Sequence, residues 1–131
     1  MLFVLFHAGC GPTVYFVKPP DWQSIRARDS TIAHFRPALQ GKKFCLDPGH
    51  GPGVEDRRGP AGDVYEPEVN FRVALMLKRY LERAGASVIL TRKATTNPSL
   101  EERKTIARQS QADFFISIHH NAAGNPFTNY T

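Results

Sequence analysis

Phe44-Cys45-Leu46-Asp47-Pro48-Gly49-His50-Gly51 joins a short apolar strand to a turn built from proline and glycine. Two further apolar stretches predict strands, Ser87 to Thr91 and Phe114 to Ile118. The unbroken Val88-Ile89-Leu90 centre of the first of these predicts a strand that is buried on both faces. Cys45 is expected to be a small buried side chain in its strand.

Two helical patterns separate these three strands. The first opens at Pro67, because proline is tolerated at the first helical position, and Gly85 ends it. The second opens at Ser99, with Glu102 three residues later as a capping box, and fades by Gln111. Strands and helices that alternate in this way predict an α/β fold, with a mainly parallel sheet, helices on both faces and right-handed crossovers.

The 131 residues suffice for one domain of ordinary size. We interpret residues 1–40 as a leader or tether, in which Asp21 to Leu39 could form one helix, and residues 41–131 as the domain itself. No closing helix or strand follows the third strand, so we expect the domain to be incomplete at its C-terminus. Phe114, Phe115 and Ile116 should then be more exposed than in a finished sheet.

The apolar leader ends in Ala8-Gly9-Cys10, which resembles the end of a bacterial lipoprotein signal. The match is partial, since His7 stands where such signals usually carry leucine and the basic opening segment is absent. Lipidation of Cys10 and a clipped ordinary export signal therefore both stay open. Either one predicts a protein of the bacterial cell envelope, periplasmic or secreted. Only a lipidated Cys10 would attach it to a membrane.

The net charge of +5 would suit an acidic partner, either nucleic acid or a carboxylate-rich polymer. The basic residues are spread along the chain and alternate with glutamate in the helical stretches, which is typical of a solvated surface. They are not interleaved with aromatic residues, and no nucleic-acid motif is present. We therefore expect no nucleic-acid partner.

Two histidines follow the ends of predicted strands, His50 and His119, and Glu66 stands at the mouth of a helix. Functional groups of parallel sheets collect beyond the carboxyl ends of the strands. Two imidazoles and a carboxylate can hold a catalytic zinc that keeps its fourth position open. The helix dipole would favour the ionised form of Glu66. Because histidines in ordinary turns are common, these residues alone leave both a metal site and plain turns open.

Five motifs in order change that balance, and they extend over roughly residues 42–125. The motifs are Asp47-Pro48-Gly49-His50-Gly51, Glu66-Pro67-Glu68-Val69-Asn70, Leu90-Thr91-Arg92, Leu100-Glu101-Glu102-Arg103 and Ser117-Ile118-His119-His120-Asn121-Ala122. In this order they resemble the zinc-dependent N-acetylmuramoyl-L-alanine amidase family. The resemblance implies a hydrolase of the autolysin type that cleaves the amide between N-acetylmuramic acid and L-alanine in peptidoglycan.

Carried over from the family, the Zn²⁺ ligands are His50, Glu66 and His119. Glu68 competes with Glu66 for this role, although an acidic residue in the first helical turn also stabilises the helix start. We favour Glu66.

The remaining motif residues are assigned supporting roles. His120 neighbours a ligand in a strand, so its side chain should point to the opposite face, at the rim of the site. Asp47 and Asn121 are expected to support the turn and the ligands through hydrogen bonds. Arg92 and Arg103 could bind substrate carboxylates or could be structural.

In the family, zinc activates water for attack on the amide, and a second glutamate beyond the third motif serves as general base. No acidic residue follows Asn121 here. We therefore expect a fragment of a longer enzyme; the alternative is a non-catalytic module that binds peptidoglycan without cutting it.

Overall fold

The computed structural model describes residues 4–5, 13–14, 23–53 and 64–120. The chain divides into two compact units, Met1–His34 and Phe35–Thr131. The elements are β1 (Val4–Leu5), β2 (Thr13–Val14), α1 (Ile25–Leu39), β3 (Lys43–Pro48), α2 (Glu66–Arg83), β4 (Ser87–Leu90), α3 (Leu100–Ser110) and β5 (Phe114–Ile118).

In the first unit, β1 and β2 pair antiparallel, with Val4 opposite Val14. The helix predicted between Asp21 and Leu39 is confirmed as α1, whose residues from Phe35 onward belong to the second unit. Cys10 and its proposed lipidation lie outside the described residues. None of the helices in the described part of the chain is long and apolar enough to cross a membrane.

The second unit is built on a parallel sheet in the order β4-β3-β5. Cys45 in the central strand pairs with Ile89 on one side and with Phe115 on the other. The predicted α/β fold with a parallel sheet is confirmed. Because β3 and β5 run in register to Pro48 and Ile118, the two segments that carry His50 and His119 leave the sheet side by side.

One face of the sheet is apolar and packs against α2. Phe44 and Leu46 of β3 form the buried core with Leu81 of α2 and Ala86. Partly buried side chains complete it, namely Leu39, Leu77, Val88, Leu90 and Ile116. The Phe44 and Phe114 rings stack on this face with centroids 5.0 Å apart. This apolar contact holds α2 in place, so the first turn of α2 lies at the carboxyl edge of the sheet.

The other face is more polar and contacts α3 at the central strand. Cys45 is fully buried there, as expected, and its thiol shares a hydrogen bond with Ser110. The prediction that β4 is buried on both faces is wrong, because Ile89 on this face is 37% exposed. The contact made by α3 is with β3, whereas Ile89 lies on the neighbouring strand β4.

The exposure expected for the last strand is confirmed for two of its three residues. Phe114 is 48% exposed and Phe115 is 52% exposed. Ile116 is a correction to that expectation, since it packs against the apolar core and is partly buried.

The two helices of this unit start differently. Tyr65 is the N-cap of α2 and makes no side-chain capping bond, and Pro67 stands in the first turn. In α3 the predicted capping box is confirmed, because Ser99 and Glu102 exchange side-chain to backbone hydrogen bonds. The predicted role of Gly85 after α2 is confirmed as well, since its φ of 90° lies in the left-handed region.

Candidate metal centre

His50 lies in the turn that follows β3. The Gly49 amide donates to the Ile118 carbonyl at 2.9 Å, which continues the sheet pairing to the residue before His50. His50 itself has a φ of 58°, a left-handed conformation that is uncommon for a residue with a side chain. Arg103 Nη2 donates to the His50 carbonyl at 2.5 Å and so holds this strained turn.

Glu66 reaches the site from the first turn of α2. Its Oε1 lies 3.3 Å from Nε2 of His50 and 3.3 Å from Nδ1 of His119. The same oxygen accepts hydrogen bonds from the His120 amide at 3.0 Å and from Asn70 Nδ2 at 3.2 Å. Burial acts to raise the pKa of Glu66, but the hydrogen bonds from His120 and Asn70, together with the two histidines beside it, outweigh burial, so the pKa is lowered. The carboxylate is therefore kept ionised.

His119 follows β5 directly, and its ring meets the His50 ring edge-on with centroids 4.8 Å apart. The ring also covers Gly49 closely. A Cβ added at Gly49 would lie 2.2 Å from Cε1 of His119, which is impossible without displacing the ring. Glycine at position 49 therefore gives His119 the space it occupies beside Glu66.

The three side chains converge as the sequence predicts, with one potential ligand atom each from His50, Glu66 and His119 within 4.8 Å of one another. Zinc bonds of about 2.0–2.2 Å in a tetrahedral site place neighbouring ligand atoms about 3.4 Å apart. The two 3.3 Å separations from Glu66 Oε1 match that spacing. The donor set, and the spacing of Glu66 from each histidine, therefore fit a zinc ion.

Glu68 does not join this cluster. It is exposed and pairs with Arg72 one turn further along α2. His120 is also exposed and stands at the rim. The expectation that its side chain points away from that of His119 is wrong, because β5 and its alternation end at Ile118. Its Nδ1 lies 2.6 Å from Oδ1 of Asn70, which is in the same helix as Glu66, the residue that His119 contacts. Asn121, which was expected together with Asp47 to support the ligands, lies outside the described residues.

Asp47 lies beneath the ligand turn, buried on the α3 side of the sheet. It accepts hydrogen bonds from Thr91 at 2.5 Å, from Arg103 at 2.8 Å and from Ser117 at 3.0 Å. Burial acts to raise the pKa of Asp47, but the three hydrogen bonds and the charge of Arg103 together outweigh burial, so the pKa is lowered. Asp47 thus ties β3, β4, α3 and β5 together just before the strands end.

Arg92 and Arg103 direct their guanidinium groups at backbone carbonyls. Arg92, only 4% exposed, donates to the Pro48 carbonyl at 2.8 Å and to the Pro67 carbonyl at 2.6 Å. Arg103, 7% exposed, donates to the same Pro48 carbonyl at 2.9 Å as well as to the His50 carbonyl. Of the two roles considered for these arginines, this geometry favours the structural one over substrate binding.

Asn70 is a site residue to which the sequence analysis assigned no role. Its side chain is fully buried and bonds to Glu66, to His120 and to the Gly49 carbonyl at 3.2 Å. A signal for it exists in the sequence. Residues four apart share one face of a helix, so a polar side chain four positions after Glu66 is placed to reach the same site.

The profile of the N-acetylmuramoyl-L-alanine amidase family matches residues 44–129, more than half of the chain. N-acetylmuramoyl-L-alanine amidase LytC of Bacillus subtilis is 39% identical over 82 residues, which are 63% of this chain and 16% of LytC. The germination-specific N-acetylmuramoyl-L-alanine amidase of the same organism is 35% identical over 98 residues, covering 64% of this chain and 40% of the relative.

Solved structures agree with these sequence matches. The catalytic domain of CwlV from Bacillus (Paenibacillus) polymyxa aligns with a TM-score of 0.62 and 31% identity, over 66% of this chain and 49% of that one. The amidase from Clostridium difficile 630 gives a TM-score of 0.62 and 31% identity, over 69% of this chain and 49% of that one. The chain thus spans about half of these solved chains and less of the two curated relatives. With the sequence profile, the parallel sheet and the solved relatives in agreement, the chain belongs to the N-acetylmuramoyl-L-alanine amidase family.

Proposed function

We propose that this chain is the zinc-binding part of an amidase that hydrolyses the bond between N-acetylmuramic acid and L-alanine in peptidoglycan. The observation that carries the proposal is the convergence of His50, Glu66 and His119 at the carboxyl edge of the sheet. Relatives named as N-acetylmuramoyl-L-alanine amidases support the same reaction. Peptidoglycan lies outside the cytoplasmic membrane, so the proposal places the protein in the cell envelope.

Each residue of the cluster has a defined part in this proposal. His50 and His119 offer imidazole nitrogens, and Glu66 offers a carboxylate whose lowered pKa keeps it charged at neutral pH. A bound zinc ion would supply Lewis-acid polarisation of the scissile carbonyl and lower the pKa of a water molecule. Arg103 holds the His50 turn and Asn70 bonds to Glu66, so contacts within the protein keep the donors close together.

Metal content tests the ligand assignment. The purified chain should carry about one zinc ion, measured by inductively coupled plasma mass spectrometry. His50→Ala and His119→Ala should each remove it, because each takes away one of three protein ligands. His120→Ala is the matched control and should retain it. Equal loss of zinc in all three variants would show that His120 is a ligand and that the assignment is wrong.

Turnover tests the reaction. The chain is incubated with purified peptidoglycan, and the products are separated to detect free stem peptide and peptide-free glycan. Stem peptide released by the wild-type chain, and absent with His119→Ala, would support the amidase. Little or no release is expected from this chain, since no acidic residue follows Asn121. A longer chain with a glutamate beyond Asn121 should release stem peptide, and failure of that chain to release it while it binds zinc and sediments with peptidoglycan would favour the non-catalytic wall-binding alternative.

A further inference from the structure

The side-chain amide of Asn70 connects three separate parts of the metal centre. Its Nδ2 donates to the Gly49 carbonyl, in the turn that carries His50, and to Oε1 of Glu66, both at 3.2 Å. Its Oδ1 lies 2.6 Å from Nδ1 of His120, the residue after the ligand His119. Each of the three proposed ligands thus either bonds to this amide, as Glu66 does, or is next in sequence to a residue that does, as His50 and His119 are.

The partners determine how the amide must be oriented. A backbone carbonyl and an ionised carboxylate only accept hydrogen bonds, so the NH₂ group of Asn70 has to face Gly49 and Glu66. Its oxygen then faces His120, and an amide oxygen also only accepts. Nδ1 of His120 must therefore carry the proton and donate it, which assigns the tautomer of a neutral His120 ring.

The position of Asn70 makes this arrangement rigid. The residue is fully buried in α2, on the helix face that it shares with Glu66 one turn earlier. A buried amide is confined by its bonds because water is not there to replace them. Both polar atoms of the Asn70 amide are engaged, Nδ2 with Gly49 and Glu66 and Oδ1 with His120, so any effect of Asn70 on a metal must pass through these three partners.

We propose that Asn70 is a positioning residue of the metal centre, whose amide directs the Glu66 carboxylate toward His50 and His119. This inference rests on the proposed zinc site. Groups that hydrogen-bond to metal ligands typically change metal affinity about 10–100-fold when they are removed.

The test is the zinc dissociation constant of the full chain, measured by competition with a chromophoric chelator. Asn70→Asp keeps the shape of the side chain but replaces the NH₂ donors with an acceptor, and Asn70→Leu removes all polar atoms at similar volume. Both should weaken zinc binding about 10–100-fold. Leu81→Ala is the control, because it removes a buried side chain of the same helix in the apolar core. It should lower the unfolding temperature and leave the zinc dissociation constant unchanged.

Cobalt(II) bound in place of zinc gives a second readout, since its visible absorption reports the ligand geometry. Asn70→Asp should alter that spectrum at saturating metal, whereas Leu81→Ala should not. If folded Asn70→Asp binds zinc with the wild-type constant and the wild-type cobalt spectrum, the positioning role is wrong while the zinc site stands. A wild-type chain that binds no zinc would overturn both.

Discussion

The helices α2 and α3 lie on opposite faces of the same sheet. They differ in the side chains that anchor them to the sheet and in how their N-termini are capped. α2 contacts the sheet through apolar side chains, Leu77 and Leu81, and its N-terminus has no side-chain cap. α3 contacts the sheet through polar side chains, Arg103 and Ser110, and its N-terminus has a complete capping box.

The difference shows what each helix start is used for. In α3 the first-turn carboxylate, Glu102, bonds back to the Ser99 amide and stabilises its own helix. In α2 the first-turn carboxylate, Glu66, points across to two histidines on other segments. A helix that is anchored by apolar packing can direct its terminal carboxylate away from itself, whereas the more polar α3 uses its own for capping.

The largest expected effect comes from comparing alanine replacements of these two carboxylates, Glu66 and Glu102. Glu66→Ala should abolish stoichiometric zinc binding, because it removes one of three protein ligands. Glu102→Ala should leave zinc binding intact and lower the free energy of unfolding slightly through loss of the capping box. Zinc titration and urea denaturation of both variants make the comparison. Retention of zinc by Glu66→Ala would contradict the assignment of Glu66 as a ligand, and Glu68→Ala would then be the variant to measure.

A second contrast concerns what anchors each helix. Arg103→Leu leaves the Asp47 carboxylate buried with one donor fewer and removes one donor each from the Pro48 and His50 carbonyls, which should cost about 3–5 kcal/mol of unfolding free energy. Leu81→Ala should cost about 2–5 kcal/mol by leaving a cavity. Both losses are measured by urea denaturation.

Of these two variants, only Arg103→Leu should also weaken zinc binding, because Arg103, unlike Leu81, bonds to the His50 turn. Equal zinc affinity in the two variants would show that Arg103 supports the fold alone. Adding Asp47→Leu to Arg103→Leu should recover part of the stability, because the unpaired buried charge is then removed.

The smallest expected effect is on the free energy of unfolding at acidic pH. The pKa of Asp47 is lower in the folded chain than its usual value, so its stabilising contribution is complete above the ordinary carboxyl pKa of about 3.9. That contribution is lost as the pH falls through the folded pKa. Metal-free Glu66 has its pKa lowered too and adds to the same loss. Urea midpoints between about pH 5 and pH 3 should fall less steeply for Asp47→Asn than for the wild type. An unchanged slope would contradict the role given to Asp47.

The elements that the sequence predicted well are those specified by local chemistry. Ser99 and Glu102 form a capping box through residues only three apart, and Gly85 adopts the left-handed conformation that ends α2. Alternating strands and helices were enough to predict the parallel sheet and to bring His50 and His119 to one edge. These features need no knowledge of distant neighbours.

What the sequence did not predict depends on contacts between distant segments. An apolar strand pattern does not say which strand a helix will cover, so the exposure of Ile89 could not be derived from Val88-Ile89-Leu90. The three partners of Asn70 come from three segments, and only the folded chain shows that one amide serves them all. That Arg103 bonds to the carbonyl of His50 is equally invisible along the chain.

The hydrogen bond from the Gly49 amide to the Ile118 carbonyl makes the distance between the two histidines a property of the sheet. Neighbouring strands lie about 4.8 Å apart, and this bond carries that spacing to the residues next to both ligands. The backbones of His50 and His119 therefore separate when the end of the β-ladder opens. Deuterium exchange at the Gly49 amide should thus count how often the unliganded centre comes apart, and metal that binds across the two strands should slow that exchange.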